Sequence, residues 1–451
     1  MENMDSTVIA TSLPAIAADL GQNPLALKLA LTSYLVSLAV FIPASGWVAD
    51  RYGARTVFAS AIVVFVLGSI ASALCDTLHG FVVARFVQGM GGALMVPVGR
   101  LVLMRAVPKN EYVAALNYLT IPALMGPVIG PALGGAITQY FHWRWIFIIN
   151  VPIGMLGLYL VLRHIPNTRE TERHPFDATG FVLSGIGLSV LMLGLSALGG
   201  HLMTPATTAA CIVAGAAVLG VYALHTRRTA YPVIDLRLLR LPTFRDGVVV
   251  GSLFRIGLGA TPFLMPLLLQ LGFGLDPLHS GILTCATAVG AMFMKTLTVA
   301  VLRHWGFRTV LAVNGAAAAL SVAAMGLFTA ATPHLVIAAV LLLSGCLRSL
   351  QFTSLQAISF ADIAPPDISQ AASITSMTQR LAQSLGIAMG AYLLQLSSSL
   401  QGHDTIVAAD FWPAFVGAAV LALAAPLLHL RLPRDAGAAV SGHRGRPEPL
   451  A

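Results

Sequence analysis

Charged side chains are scarce in this chain of 451 residues. Asp, Glu, Lys and Arg make up 10% of it and hydrophobic residues 57%, whereas soluble domains carry about 25% charged residues. This composition excludes a soluble globular protein. The apolar residues form continuous runs of about 20 rather than alternating patterns, which predicts an all-α polytopic membrane protein and excludes a barrel of membrane strands.

Other absences narrow the functional class. The four cysteines lie in or at the ends of apolar runs without paired spacing, which fits buried apolar side chains better than disulfides or a metal site. The histidines lack the spacing of metal ligands. No Gly-Lys-Ser/Thr phosphate-binding loop occurs, so ATP is not the evident energy source. We therefore expect no enzyme activity, no metal and no cofactor.

Positive charge is in excess, with a formal net charge of +8. The Lys and Arg residues lie mostly in short loops. With the N-terminus inside, the outer loops hold only Lys28 and Arg144. This bias predicts a multi-pass protein of the bacterial cytoplasmic membrane with both termini in the cytoplasm. Its partner is then the lipid bilayer and not nucleic acid.

Fourteen apolar spans account for the chain. The first looks cut short, because its clean apolar part begins near Val8 and covers about eleven residues, roughly half of the hydrocarbon core at ~1.5 Å each. The other spans are predicted near 29–49, 57–74, 81–103, 113–139, 145–162, 180–198, 206–224, 248–271, 281–302, 309–328, 334–354, 372–396 and 412–430. The predicted domains are a six-helix bundle at 1–162, a linker with two extra membrane helices at 163–247, a second six-helix bundle at 248–430 and a disordered cytoplasmic tail at 431–451.

A short charged turn, Gly46 to Phe58, separates the second and third predicted spans. After a shift of 253 positions, Tyr52–Val57 falls on Trp305–Val310, and the aromatic, Gly, Arg, Thr and Val residues match. Asp50 falls on Arg303, so this charge is not repeated. The match indicates a transporter built from two related halves, with chance recurrence of a common turn as the alternative.

Two acids and one arginine in apolar spans are candidates for proton coupling. Glu2 and Asp5 share a helix face, and a desolvated carboxylate can exchange a proton near neutral pH or attract a cationic substrate. Arg85 lies inside the fourth span, with Gln88 one turn later on the same face. The alternatives are a frayed, solvated helix start for the acids and a structural ion pair for Arg85.

The second half carries only basic residues deep in its predicted spans. Arg255, Lys295 and Arg348 lie within spans, and Arg380 lies near the end of one. Because unpaired cations are costly in lipid, we expect the first three to line a water-filled substrate cavity, together with Gln88. A basic cavity suits an anion, so an organic-anion substrate stays open.

The fifth span carries a strip of small residues. Its glycines recur at every fourth position and are interleaved with prolines, which bend a helix. The strip consists of Gly126, Pro127, Gly130, Pro131 and Gly134. This pattern predicts close contact with another helix.

These motifs follow the order found in one family of transporters. Met4–Pro14 resembles a first-helix motif, Gly46–Phe58 a loop motif, Arg85–Gly92 a fourth-helix motif, Met125–Gly135 an antiporter motif, and Trp143–Gly154 a further typical stretch. The chain thus resembles the fourteen-span drug:proton antiporter branch (EmrB/QacA-like) of the major facilitator superfamily. The C-terminal half matches mainly in span count.

The resemblance implies two six-helix bundles that rock about a central cavity, with export driven by inward proton flow. It implies proton coupling or cation recognition by Asp5, with Glu2 beside it, and proton control by Arg85. It implies interbundle packing by the small-residue strip. It implies a cytoplasmic gate formed by Gly46, Asp50, Arg51, Gly53 and Arg55.

The expected function is therefore proton-coupled export of drug-like amphiphilic molecules, with protons and a small-molecule substrate as partners. An organic-anion or metabolite exporter is the alternative, motivated by the basic residues of the second half. A non-transporting membrane sensor is a third hypothesis. It would require an added soluble domain, whereas the longest loops are only tens of residues.

Overall fold

The computed structural model is helical throughout the parts of the chain that it describes. These are residues 2–106, 126, 129–167, 175–197, 203–229, 232–364, 367–403, 405–433, 435–437 and 440. No strand occurs within these ranges. The all-helical fold class predicted from composition is confirmed.

Within the described residues, eight helices form the first part of the chain, and two more follow them. The eight are α1 (Glu2–Asp19), α2 (Lys28–Phe41), α3 (Ser45–Tyr52), α4 (Ala54–Leu74), α5 (Leu78–Ala106), α6 (129–140), α7 (Trp145–Ile148) and α8 (Asn150–His164). The next two are α9 (Ala178–Ala197) and α10 (Pro205–Thr226).

The remaining helices contain wider π-helical turns at 246–250, 268–272 and 310–314. These helices are α11 (Pro242–Arg245), α12 (Gly251–Gly259), α13 (Thr261–Leu267), α14 (Pro277–Thr309), α15 (Gly315–Met325), α16 (His334–Ser359), α17 (Ile368–Gln401) and α18 (Ala408–His429).

Within the described residues, 10 helical stretches are long and apolar enough to cross a membrane. One of them, Pro277–Met325, joins two of the predicted spans, and the predicted span 113–139 lies partly outside the described residues. α1 is longer than its apolar part, because its 18 residues include the polar start. Lys28 is not a loop residue as the sequence predicted; it begins α2 and is 2% exposed.

The helices group into two compact units. The first contains Met1–Asp235 with Leu269–Cys285, and the second contains Leu236–Leu268 with Ala286–Ala451. The extra helices α9 and α10 belong to the first unit. The division into two six-helix bundles around an insertion stays a prediction, and most of the predicted tail lies outside the described residues.

α9 packs against α2. The rings of Phe41 and Phe181 stand 5.7 Å apart, and Ser196 donates a hydrogen bond to Thr32 over 3.5 Å. A Cβ at Gly185 would lie 3.1 Å from Val40. One face of α2 is therefore covered by protein along its length.

The loop before α7 is hydrogen-bonded to the end of α1. Trp143 Nε1 donates to Asp19 over 3.0 Å, and Arg144 donates to Asp19 and to Asp76, each over 2.7 Å. The two Asp19 contacts hold the far end of the helix that carries Asp5.

Two pairs of glycines show that the 253-residue offset applies to the backbone. Gly21 and its counterpart Gly274 have φ of 61° and 70°, and Gly53 and its counterpart Gly306 have φ of 93° and 71°. Positive φ is strained for residues with a Cβ and open to glycine. Gly21, Gly53 and Gly274 lie between helices, and Gly306 lies at a kink inside α14.

Helix contacts repeat with the same offset. A Cβ at Gly92 would lie 3.0 Å from Tyr34 Oη, and a Cβ at the counterpart Gly345 would overlap Thr287, the counterpart of Tyr34. In a second matched contact, a Cβ at Gly89 would overlap Ser37. A Cβ at Gly290, the counterpart of Ser37, would likewise overlap Leu342, the counterpart of Gly89. These pairs support an internal repeat over a chance match between two turns.

Candidate functional site

Asp5 lies at the centre of a buried polar cluster in the first unit. Its Oδ2 accepts a hydrogen bond from Arg85 Nη1 over 2.6 Å. Its Oδ1 accepts one from Gln88 Nε2 over 2.9 Å and one from Asn150 Nδ2 over 3.1 Å. The Asp5 side chain is 2% exposed and the Arg85 side chain 0%. The cluster thus joins α1, α5 and α8 through one carboxylate.

Ser69 on α4 completes the cluster. Its Oγ accepts hydrogen bonds from Gln88 Nε2 over 3.1 Å and from Asn150 Nδ2 over 3.0 Å, and it donates to the Phe147 carbonyl over 3.1 Å. Ser69 therefore orients the two amides that hold Asp5.

The Arg85 guanidinium has few polar partners for a buried cation. Besides Asp5, Nη1 donates to Gln88 Oε1 over 2.5 Å, while Nε and Nη2 have no hydrogen-bond partner among the described residues. The guanidinium carbon lies 4.3 Å from the ring centroid of Tyr34 and 5.5 Å from that of Phe147. Removing one member of such a buried pair typically costs about 3–5 kcal/mol, because the other charge is left unpaired.

Glycines let α5 approach α4 closely enough to build this cluster. A Cβ at Gly68 would lie 2.6 Å from Gln88 Cα, and a Cβ at Gly91 would overlap the backbone of Phe65. Gly68 precedes Ser69, so the close approach brings Gln88 and Ser69 within bonding distance.

The small-residue strip of α6 positions α1. A Cβ at Gly130 would overlap Thr7 Oγ1, and a Cβ at Gly134 would overlap the Val8 carbonyl. Thr11 donates to the Pro131 carbonyl over 3.3 Å. Both glycines therefore serve a contact with α1, the helix that carries Asp5.

Pro131 of the strip and the adjacent Gly135 contact the start of α14, in the same unit. A Cβ at Gly281 would overlap the Pro131 carbonyl, and one at Gly135 would overlap the Pro277 carbonyl. Thr7 donates to the Gly126 carbonyl over 3.4 Å, and Pro127 lies outside the described residues. The interbundle role of the strip stays a prediction.

Glu2 is buried one turn before Asp5. It is 5% exposed, and α1 is helical from this residue onward. A Cβ at Gly92 would lie 3.4 Å from Glu2 Cγ, so Glu2 faces α5. A frayed, solvated start for the two acids is therefore not what the structure shows.

The predicted gate turn is bound by a residue that the sequence analysis did not select. Asn167, in the segment after α8, accepts a hydrogen bond from the Thr56 backbone over 3.4 Å and donates to Thr56 Oγ1 over 3.1 Å. A Cβ at Gly53 would overlap Asn167 Oδ1. Asn167 is separated from the turn by 111 positions, and no local pattern marks it.

The remaining gate residues differ in exposure. Gly46 and Arg51 are exposed, whereas Asp50 and Arg55 are half-buried and Gly53 is buried. Their gating role stays a prediction.

The basic residues of the second half lie in different environments. Arg255 is 6% exposed; its Nη1 donates to the Gly247 carbonyl over 3.2 Å, and its guanidinium carbon is 5.7 Å from the Phe352 ring centroid. Arg348 is half-buried and Lys295 is exposed.

Gln88 was predicted to line the substrate cavity with these cations. It is fully buried in the other unit, where each polar atom of its amide already has a partner. The geometry places Gln88 with Asp5. Its predicted contact with substrate stays a prediction.

Asn150, Ser69 and Tyr34 are site residues that sequence reasoning did not select. Asn150 lies within Trp143–Gly154, a stretch that resembles the transporter family. Its amide in an apolar span could have identified Asn150 as a site residue, because a polar group buried in a membrane helix needs partners. Ser69 and Tyr34 carry no such signal, since Ser and Tyr are common in membrane helices.

The comparisons with known proteins agree on the class, which is a multi-pass membrane transporter and not an enzyme. The family model described as Major Facilitator Superfamily matches residues 1–386. The chain belongs to this superfamily, and its partners are therefore the lipid bilayer and a small-molecule substrate.

Curated relatives match most of the chain. "Putative multidrug resistance protein MdtD" of Salmonella heidelberg (strain SL476) is 39% identical over 401 residues, 87% of this chain and 84% of the relative. The protein of the same name from Escherichia coli O9:H4 (strain HS) is 39% identical over 402 residues, 88% of this chain and 84% of the relative.

Solved structures share the fold at low identity. A D-xylose-proton symporter aligns with a TM-score of 0.68 and 14% identity, covering 97% of this chain and 96% of that one. A D323A mutant of the nucleoside transporter NupG aligns with a TM-score of 0.65 and 14% identity, covering 95% and 98%. At this identity the likeness concerns the fold alone.

Proposed function

We propose that this chain is a proton-coupled antiporter that exports drug-like amphiphilic molecules across the bacterial cytoplasmic membrane. One observation carries the proposal: a carboxylate, Asp5, is buried inside a membrane-protein unit against a buried arginine, Arg85. An ionisable residue inside a membrane bundle marks an ion pathway or proton relay by default.

The geometry supports Asp5 as the proton carrier. When Asp5 is ionised, three hydrogen-bond donors stabilise it, and one of them is the Arg85 cation. When a proton binds, the charge attraction to Arg85 is lost, and Arg85 becomes an uncompensated cation in a dry environment. Proton binding therefore favours a rearrangement around Arg85, which is the link that coupling requires.

Gln88 and Tyr34 give Arg85 an alternative set of contacts. Nη1 already donates to Gln88 Oε1, and the guanidinium already lies over the Tyr34 ring. Arg85 can therefore leave Asp5 without losing every partner. Glu2, buried one turn away, is the second candidate carboxylate on the same helix.

The rest of the mechanism is proposed from the family and from the relatives. Two six-helix bundles rock about a central substrate site, the turn around Gly53 gates the cytoplasmic side, and the α6 strip packs between bundles. Both termini lie in the cytoplasm. The multidrug-resistance name of the relatives supports an amphiphilic drug-like substrate.

An organic-anion exporter is the second candidate. Arg255 is buried, and its Nη2 has no hydrogen-bond partner among the described residues. Such a donor could bind a carboxylate of a substrate in another state of the transport cycle.

The test is substrate-induced proton movement in proteoliposomes, screened with cationic amphiphiles and with organic acids. We expect an imposed pH gradient to drive uptake into inverted vesicles, and cationic amphiphiles to release protons on binding. Asp5→Asn should abolish both signals. The matched control is Asp367→Asn, because Asp367 is exposed and makes no capping bond to α17.

Two results would contradict the proposal. Full gradient-driven transport by Asp5→Asn would remove Asp5 from coupling and leave Glu2. Proton release by organic acids alone, lost in Arg255→Ala, would replace the drug exporter with the anion exporter.

A further inference from the structure

A second buried ionisable pair lies in the other unit. His429, in the last turn of α18, places its Nδ1 2.6 Å from Oδ2 of Asp246, which begins the π-helical turn before α12. The His429 side chain is 0% exposed and the Asp246 side chain 14%. The two residues are 183 positions apart, so the pair joins the end of the last helix to the start of the second unit's first span.

The geometry places one proton in the pair. One proton lies between Nδ1 and Oδ2, as their hydrogen-bond distance requires. The other ring nitrogen, Nε2, is buried and has no hydrogen-bond partner among the described residues. A further proton can therefore bind at Nε2 and convert the pair from a net charge of −1 to a neutral imidazolium–carboxylate ion pair.

The backbone around Asp246 is held on both sides. A Cβ at Gly247 would overlap Ser359 Oγ on α16, and the Gly247 carbonyl accepts from Arg255. π-Helical turns occur frequently at functional sites. A change of charge at Asp246 therefore acts on a turn that contacts three helices, α12, α16 and α18.

Within the described residues, α16 carries His334, Cys346 and Arg348, and the other elements near the pair add few ionisable groups. α15 and the turn 310–314 pack against α18 and contain no titratable side chain. α12 contributes Arg255, and the chain adjacent to the pair contributes Arg245 and Arg431. α17 carries Arg380 and Tyr392, more than two turns from its start.

We propose that His429 and Asp246 form a second proton-binding site, at the end of the second unit predicted to face the cytoplasm. Its ligand is the proton. A proton bound at Nε2 changes the charge beside the π-helical turn at 246–250, and the occupancy of this site thereby sets the transport rate. This inference rests on the proposed function, because it concerns the response of that transport to internal pH.

The test compares transport rates at fixed external pH while internal pH varies between about 5 and 8. His429→Asn keeps a donor at the position of Nδ1 and removes the titration, so we expect a rate that no longer depends on internal pH. Asp246→Asn keeps an acceptor and removes the negative charge, so the midpoint should move toward lower pH. The matched control is His164→Asn, because His164 is an exposed histidine at the end of α8, on the side predicted to face the cytoplasm, and should leave the curve unchanged.

A second measurement keeps the result separate from failure of the proposed function. The melting temperature of the detergent-purified protein is recorded against pH, and it reports proton binding whether or not the protein transports the chosen substrate. We expect the wild-type melting temperature to change with pH over this range and His429→Asn to remove that change. Identical melting curves and identical rate curves for wild type and His429→Asn would overturn the proposal.

Discussion

Asn150 and Gln88, on different helices, donate hydrogen bonds to the same oxygen of Asp5, over 3.1 and 2.9 Å. Arg85 uses the other oxygen, over 2.6 Å. The two oxygens therefore have separate roles. Oδ1 accepts hydrogen bonds from two uncharged amides, and Oδ2 pairs with the cation. The carboxylate can keep its position while its contact with Arg85 forms or breaks.

The first prediction concerns Asp5 itself. Asp5→Asn keeps the volume of the side chain and removes its charge, so the helices should still pack while pH-driven transport is lost. Binding of a neutral or anionic substrate should survive. Binding of a cation held by Asp5 should weaken by about 1–3 kcal/mol. Ligand binding in detergent and gradient-driven flux in vesicles separate these effects.

The second prediction concerns the amide that holds Asp5. Asn150→Ala removes donors to Asp5 and Ser69, so the maximal rate and the external-pH dependence of transport should both change. Asn314→Ala is the matched control, because Asn314 is also a buried amide but donates to the Leu347 carbonyl and Gln351 in the second unit. A pH profile that moves equally in both variants would assign Asn150 a merely structural role.

Third, the turn at Gly53 should tolerate no side chain. Gly53→Ala meets strain from a φ of 93° and a clash with Asn167, so we expect a loss of about 1–3 kcal/mol and a lower melting temperature. Gly21→Ala is the comparison, because Gly21 has a φ of 61° but nothing within 4 Å of its Cβ position. The difference between the two variants contains the clash and the greater backbone strain at Gly53, whose φ is 93° and ψ 136°. Equal losses would show that Asn167 moves aside freely.

A fourth prediction tests the small-residue strip of α6 that packs against α1. Gly134→Ala places a methyl group against the Val8 carbonyl and should displace the helix that carries Asp5, with reduced transport. Gly220→Ala on α10 has nothing within 4 Å and should behave as wild type. Membrane insertion should be normal for both, since alanine is well accepted in membrane helices. Wild-type flux from Gly134→Ala would show that the α1–α6 contact is loose.

A fifth prediction uses the counterpart helix caps Asn23 and Asp276. The His279 backbone N–H donates to Asp276 over 2.9 Å and is the main reason that the pKa of this carboxyl lies below its ordinary value of 3.8. A depressed carboxyl pKa stabilises the fold above the ordinary value, and this contribution is lost as pH falls through the folded-state pKa. Asp276→Ala should therefore lower the melting temperature at neutral pH, and the difference should shrink below 3.8.

Asn23 provides the control for this pH effect. Its side chain accepts from the Leu25 backbone over 2.8 Å and cannot titrate. The stability lost in Asn23→Ala should therefore be independent of pH over the same range. Parallel pH curves for the two variants would contradict the role given to the Asp276 carboxylate.

The sequence predicted the fold class and its family well, for physical reasons. Apolar runs of membrane length are local, and a glycine such as Gly53 is needed wherever the backbone takes positive φ. Asp5 and Arg85 were found because charge in an apolar span is costly in any fold. What could not be predicted was which of these charges meet.

The missing information was three-dimensional. Nothing in the sequence pairs Asp5 with Asn150, 145 positions away, or Asn167 with the turn at Gly53. The sequence did not show that Gln88 meets Asp5, because its face of α5 packs against α4 and α1. Its contact with substrate stays a prediction. Pairing between distant helices is set by close approach at glycines such as Gly68, and a single sequence does not show which helix faces them.

The constant offset between the two halves has a consequence for chain length. Gly21 and Gly274, and later Gly92 and Gly345, are separated by the same 253 positions, so no residue has been gained or lost between these points in one half relative to the other. In an α-helix each residue turns the chain by about 100°. One inserted residue in α4 would therefore rotate Gly68 away from α5 and carry every later side chain to a new face. The two halves thus keep the same number of residues between these turns, and in α4 this spacing keeps Gly68 facing α5.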